Sequence, residues 1–295
     1  MTQKKRAGHP AKARETLMHI VFLLTACISI VAVVLICVFM FANGLPTIAK
    51  IGPANFLLGT TWKPLNDLYG ILPMIVGSLY VTAGAILIGV PIGILCAVYL
   101  ARFCPRRLYA VLKPLIDLLA GIPSIVYGFF GLVVIVPLIQ QLTGASGGKN
   151  ILTASIMLGI MILPTIISVS ESAIRAVPES YYEGALALGA THERSVFFAV
   201  LPAAKSGILA GVILGVGRAI GEATAVKMVA GNQAILPNSI LSGVRTLTSN
   251  IVVEMGYAEG MHREALIATG VVLFIFLLCI NLIFSYIKHK SESKY

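Results

Sequence analysis

The stretch Val177-Pro178-Glu179-Ser180-Tyr181-Tyr182-Glu183-Gly184-Ala185-Leu186-Ala187-Leu188-Gly189-Ala190-Thr191-His192-Glu193-Arg194, continuing to Leu201-Pro202, lies between two long apolar runs. Pro178 can open a helix, because its missing N–H is not needed in the first turn. Glu183 lies toward the positive end of that helix, and Gly189 can end it in a left-handed cap. A short helix, a turn and a second short helix are expected, outside any bilayer. The small residues Gly184, Ala185 and Gly189 leave the backbone open to close approach by another protein. An ordinary amphipathic connector is the plainer alternative.

The flanking runs set the class. The 295 residues are 58% hydrophobic and 12% charged, with a mean hydropathy of +0.93, whereas soluble domains carry about 25% charged residues. A soluble enzyme is excluded, because too little polar surface would cover its core. A span needs about 20 apolar residues to cross about 30 Å of hydrocarbon. Six stretches qualify: 17–42, 71–101, 115–142, 151–169, 207–230 and 265–287. The expected organisation is an N-terminal tail, 1–16, a six-helix membrane domain, 17–287, with the loop 177–202 inside it, and a C-terminal tail, 288–295. Pro91, Pro123 and Pro137 predict kinks in the second and third spans. The first run is too long for a cleavable signal and reads as a span.

Charge gives the orientation. Of 22 Lys and Arg, fifteen fall in the tails, the loop after the second span and the segment between spans four and five. Five lie in the remaining loops, and Arg218 and Lys227 lie inside the fifth span. The positive-inside rule places both termini and the 177–202 loop in the cytoplasm. The net charge of +10 is then loop bias rather than a nucleic-acid surface. The five cysteines form no CxxC pair, so neither a disulfide framework nor a metal site is expected, and no cofactor is called for.

The fifth span carries the second constellation. Gly207, Gly211 and Gly215, four apart, form a flat packing face. Arg218 lies eleven residues past Gly207, about 16 Å deep at 1.5 Å per residue. An intramembrane charge is costly and marks function by default. A guanidinium can fork two hydrogen bonds to an oxyanion, and Glu222 at i+4 can hold it between ligands. A purely structural Arg218–Glu222 pair is the competing reading. Ser124 follows Pro123, whose local break would expose it to a pathway; close packing at Gly121, Gly128 and Gly131 is the simpler account of that segment. Gly144 to Asn150 superficially resembles a phosphate loop, but Thr143 and Asn150 stand where Gly and Ser or Thr are required, so a turn is expected. Glu171 and Arg175 read as a solvated i,i+4 pair, and His192 and His262 as surface residues.

Two motifs carry a family resemblance. Glu183-Gly184-Ala185 followed by Gly189 and, twelve residues on, Leu201-Pro202 resembles the coupling loop of ABC importer permeases. It departs mildly, with Gly184 and Ala199 where alanine and isoleucine are usual. Arg218-Ala-Ile-Gly-Glu222-Ala-Thr-Ala-Val, closing with Gly231-Asn232, is similar to the Pst phosphate-importer permeases, as is Gly121-Ile-Pro123-Ser124-Ile-Val-Tyr127-Gly128. Phe56 to Pro64, Tyr69 to Pro73 and Arg245 to Ile251 fit the PstC family better than its sister, PstA. The resemblance implies an all-α integral membrane protein of the ABC type I importer fold in the bacterial plasma (inner) membrane. It implies a non-catalytic permease subunit importing inorganic phosphate. Its partners would be a PstA-like second permease, a PstB-like ATPase dimer and a PstS-like binding protein. Glu183, Gly184, Ala185 and Gly189 would meet the ATPase, and Arg218, Glu222 and Ser124 would attend the pathway. A sister subunit, a permease for sulfate or molybdate, and a secondary transporter using Arg218 and Glu222 as an ion relay are the alternatives. A membrane enzyme finds no nucleophile–base or metal arrangement.

Overall fold

A computed structural model describes residues 9–144 and 147–292, with side chains from 14 to 286; the expected tail charges Lys4, Lys5, Arg6, Lys12, Lys288, Lys290 and Lys294 fall outside the described residues or side chains. Helix α1, His9–Ile51, runs unbroken because its polar residues Thr25, Ser29 and Asn43 donate back to carbonyls about one turn earlier, and it continues through Gly44 and Pro46. A short helix α2, Pro53–Leu58, leads to an antiparallel hairpin, β1 (Trp62–Lys63) and β2 (Leu68–Tyr69), closed by Asp67 in a left-handed conformation at φ 54°. The pleat turns Trp62 and Tyr69 inward, edge to face at 5.8 Å.

Helix α3, Leu72–Val98, runs back through the bundle and ends in a π-helical turn, Tyr99–Phe103. Helix α4, Arg106–Gly121, stops because Pro123 forces Ile122 into extended backbone, φ −68° and ψ 127°. Helix α5, Ser124–Phe130, continues through a π turn, Gly131–Ile135, into α6, Val136–Thr143. The expected window 115–142 is thus two elements. Only Ser124–Thr143 is long and apolar enough to cross a membrane, while α4 is amphipathic.

Helix α7, Ile151–Arg175, begins on a side-chain cap, the Thr153 N–H donating to Asn150 Oδ1 at 2.9 Å. The Gly147–Asn150 end of the glycine-rich segment is therefore a turn feeding a cap. Helix α7 is the centre of the bundle. Its Ile166 inserts between Gly93 of α3 and Gly215 of the helix described next, and a Cβ at either glycine would meet Ile166 at 2.8 or 2.7 Å. Backbones approach this closely only over small residues, which is how apolar helices gain packing energy where water offers no drive.

Helices α8 (Glu179–Ala187), α9 (His192–Ser195) and α10 (Leu201–Ala203) lie at one end, with a π turn, Val196–Val200, between the last two. Helix α11, Lys205–Gly221, follows at 70° to the segment before it. The expected continuous run 207–230 is broken. Glu222 is extended at φ −73° and ψ 124°, and α12, Thr224–Val229, starts afresh. A loop, then α13 (Leu247–Glu254), cap the opposite end, and α14, Gly260–Glu292, packs along α1. Among the described residues, five helices are long and apolar enough to span a membrane, or six if the bent pair counts as one span. The most apolar stretch of α1 exposes its whole circumference apart from α14, a surface that only lipid or another apolar helix accepts.

Candidate functional site

Helix α8 is specified locally. Pro178 precedes it, Glu179 occupies its first turn, and Glu183 lies one turn further in, exposed. Its end is a Schellman cap: Ala190 N–H donates to Ala185 O at 3.1 Å and Gly189 N–H to Leu186 O at 2.9 Å, with Gly189 at φ +82°. No atom comes within 4 Å of a Cβ built on Gly184 or Gly189, and Leu188 is 91% exposed. Ala185 is half-buried and ties the cap through its carbonyl. The helix thus presents an open surface of small and apolar residues. Beneath it, Arg102 of the α3 π turn donates to Glu179 at 2.9 Å, and Tyr182 OH bonds His192 Nδ1 at 2.7 Å. His192 also meets Phe103 edge to face at 4.8 Å, so its expected surface position is corrected: it pins α8 to the bundle.

The second region lies at the α11–α12 break. Gly207, Gly211 and Gly215 all face α7, meeting Ala173, Ser170 and Ile166. Arg218, half-buried, has one side-chain partner among the described residues, the Thr165 hydroxyl at 3.4 Å. Glu222 does not pair with it. Because the helix ends at Gly221, the Glu222 carboxylate turns to the next element and accepts the Ala225 N–H at 3.0 Å, capping α12. Its carbonyl accepts from the Thr248 hydroxyl at 2.9 Å. The expectation of a shared Arg218–Glu222 helix face is therefore corrected, and a structural pair between them is absent. Ser124 opens α5, half-buried, and bonds to neither. Tyr127, one turn on, donates to Leu119 O at 2.7 Å and closes the α4–α5 bend.

Two charged clusters were not anticipated. Glu171 is 2% exposed and accepts from Tyr109 OH and Arg175 Nε, both at 2.7 Å, with Lys113 Nζ 3.2 Å away as an ion pair. Lys113 also meets Asp117 at 3.1 Å and Ser168 at 3.0 Å. The expected i,i+4 pair of Glu171 and Arg175 is thus present, with Arg175 exposed, but Glu171 is buried rather than solvated. The Glu171 hydrogen bond, with burial and its charge behind it, pushes the Tyr109 phenol above its ordinary pKa, so it remains a donor. Stripping the buried Glu171 of its partners would strand a carboxylate, at a cost of up to about 3–5 kcal/mol. At the opposite end, buried Glu254 receives Trp62 Nε1 and His262 Nε2, each at 2.8 Å, together with Arg245. His262 is accordingly no simple surface residue. The available signals were the i,i+4 spacing of Tyr109, Lys113 and Asp117 along an amphipathic stretch, and a lone carboxylate among Ser168, Ser170 and Ser172.

Comparison with known proteins places this geometry. The profile of the family described as "Binding-protein-dependent transport system inner membrane component" matches residues 89–292. The probable ABC transporter permease protein YqgH of Bacillus subtilis is 39% identical over 278 residues, covering 92% of this chain and 90% of the relative. The phosphate transport system permease protein PstC of Haemophilus influenzae is 36% identical over 240 residues, 75% and 76% of the two chains. Among solved structures, a bacterial alginate ABC transporter with its pentasaccharide-bound periplasmic protein superposes with a TM-score of 0.62 at 13% identity, over 94% of this chain and 96% of that one. At that identity the likeness concerns the fold, which is that of ABC type I importer permeases.

Proposed function

The chain belongs to the family of binding-protein-dependent transport system inner membrane components, and from that membership we propose that it forms one half of the translocation pathway of an ATP-driven inorganic phosphate importer. It is a multi-pass membrane protein and an ABC importer permease. The phosphate reading draws on relatives described as PstC permeases, several of them at least 33% identical over most of the chain. Within the molecule it rests on one observation: Arg218, inside the membrane-spanning region, has a hydroxyl for a partner and, among the described residues, no carboxylate. A guanidinium left uncompensated there attracts an anion, and its planar fork can replace part of the hydration that phosphate loses. The neighbouring break at Glu222 leaves the helical register at membrane depth, where Thr248 and the Glu222 carboxylate satisfy the backbone it frees.

Coupling completes the proposal. The open face of α8, around Glu183, Gly184, Ala185 and Gly189, docks a PstB-like ATPase dimer, and the termini and α8 lie in the cytoplasm. A PstA-like permease supplies the other half of the path, and a PstS-like protein delivers phosphate at the end carrying the hairpin and α13. The chain itself hydrolyses no nucleotide. Neither a secondary transporter nor a PstA-like identity is favoured by the family and relatives above. The test is radiolabelled phosphate uptake into vesicles holding the complete complex, with and without this chain. Uptake should need the chain, ATP and the binding protein, and excess sulfate or molybdate should not compete. Competition by either would reassign the cargo, and uptake without ATP would end the reading.

A further inference from the structure

The unanticipated Glu171 cluster suggests how a movement at α8 reaches the pathway wall. A continuous polar chain leaves the coupling helix. Glu179 of α8 holds Arg102 Nη1 at 2.9 Å. Two residues earlier in the same π turn, the Leu100 carbonyl accepts Arg175 Nη2 at 2.7 Å. That carbonyl is free for a local reason. The π register sends Cys104 N–H to Tyr99 O, at 2.8 Å, and the next donor in that register would be Pro105, which has no N–H. Arg175 then passes the connection to Glu171 Oε1, which at the same atom accepts Tyr109 OH of α4. Arg175 also lies over the Tyr109 ring, at 4.4 Å. One carboxylate oxygen thus fixes Arg175 and Tyr109 relative to each other, and neither can shift without moving its counterpart. Helix α4 continues through the Ile122-Pro123 bend to α5, to which the Tyr127–Leu119 bond ties it.

From this chain the structure assigns Glu171 as a positioning residue that carries displacement of the ATPase-docked α8 through Arg102 and Arg175 to α4, and so to the wall holding Ser124 and Tyr127. The assignment rests on the coupling reading above. The solvent-facing parts of the chain, Glu179 and Arg175, lie where a docked partner can act, and the 2%-exposed Glu171 lies where motion must be received.

The experiment uses the complete complex in nanodiscs and proteoliposomes, with this chain carrying Glu171→Gln, Arg102→Gln or Arg102→Lys. Two quantities are read: ATP hydrolysed per phosphate imported, and amide hydrogen exchange across residues 106–121 with and without a non-hydrolysable ATP analogue. In the unaltered complex the analogue should change α4 exchange at least threefold. Glu171→Gln and Arg102→Gln should still recruit the ATPase, yet lose that change and raise the ATP-to-phosphate ratio at least fivefold. Arg102→Lys, which keeps the charge and one donor, should recover about half of the coupling. Variants that assemble with the unaltered ratio and the unaltered α4 response would overturn the assignment. Should Glu171→Gln fail to assemble, the Arg102 pair, nearer the surface, decides by the same criteria. An unaltered complex that hydrolyses ATP but imports no phosphate would correct the cargo, and the exchange comparison would still decide the relay. A chain that recruits no ATPase would end both readings.

Discussion

Arg218 and Glu222 lie four residues apart, yet the structure separates their roles. Had α11 continued, their side chains would have met across one turn and neutralised each other. The extended Glu222 instead spends its carboxylate on an N–H of α12, and Arg218 keeps its charge. Arg218→Gln should therefore leave the complex assembled, because no buried carboxylate is stranded. It should cut phosphate uptake sharply, since losing one member of a buried, hydrogen-bonded charge pair costs about 2–5 kcal/mol, roughly thirtyfold or more. Arg218→Lys should recover only part of the rate, because a point charge does not reproduce the fork. Uptake measured beside ATPase co-purification checks both. Near-normal uptake with Gln would remove Arg218 from the pathway. This distinction was not legible in the sequence: glycine spacing and depth identified an unusual arginine, but hydropathy carries no signal for where a backbone leaves the helix.

At the scale of elements, what the sequence conveyed depended on how local the determinants are. Helix α8 was legible because Pro178 and Gly189 set its limits within one segment, and Gly189 takes the left-handed φ of +82° that its cap demands. The third span was misjudged because Leu115 to Leu142 is almost wholly apolar, Asp117 and the terminal glutamines aside, while the break depends on Pro123 and the docking of α4 on Lys113, which lies before Leu115 and pairs with Glu171 across the bundle. Glu171 was missed for the same reason. Its partner Tyr109 is 62 residues away, so its neighbours in sequence suggest solvent where the fold supplies donors. The α8 surface can be probed without strain. Replacing Gly189 by any L-residue would distort the cap, but Gly184 lies within the helix with open space beyond its Cα. Gly184→Trp should therefore leave folding and membrane insertion unchanged while abolishing ATPase co-purification. Normal co-purification and coupled uptake in that variant would show that α8 is only a connector.

Over the whole molecule, two ends of different chemistry flank an apolar bundle, and the orientation follows from which end faces which compartment. One end carries α8 to α10, the π turn and α4, with Arg102, Arg106, Arg107, Lys113, Arg175, Arg194 and Lys205. The other carries the hairpin, α13 and the buried Glu254 cluster, with Lys50, Lys63, Lys149, Arg245 and Arg263. On the proposed reading, retention of Lys and Arg on the cytoplasmic side during insertion directs the first end inward. Two residues report this directly, because both side chains stand clear of the protein: Leu65 at the hairpin tip, 101% exposed, and Leu188 at the α8 cap, 91% exposed. The five native cysteines should first be replaced by Ser or Ala. Leu65→Cys in intact cells should then react fully with a membrane-impermeant maleimide, and Leu188→Cys should react only after the membrane is opened. The reverse pattern would invert the molecule, place α8 beyond reach of a cytoplasmic ATPase and remove the coupling role with it. Labelling of both positions in intact cells would mean that the bundle does not span the membrane between its two ends.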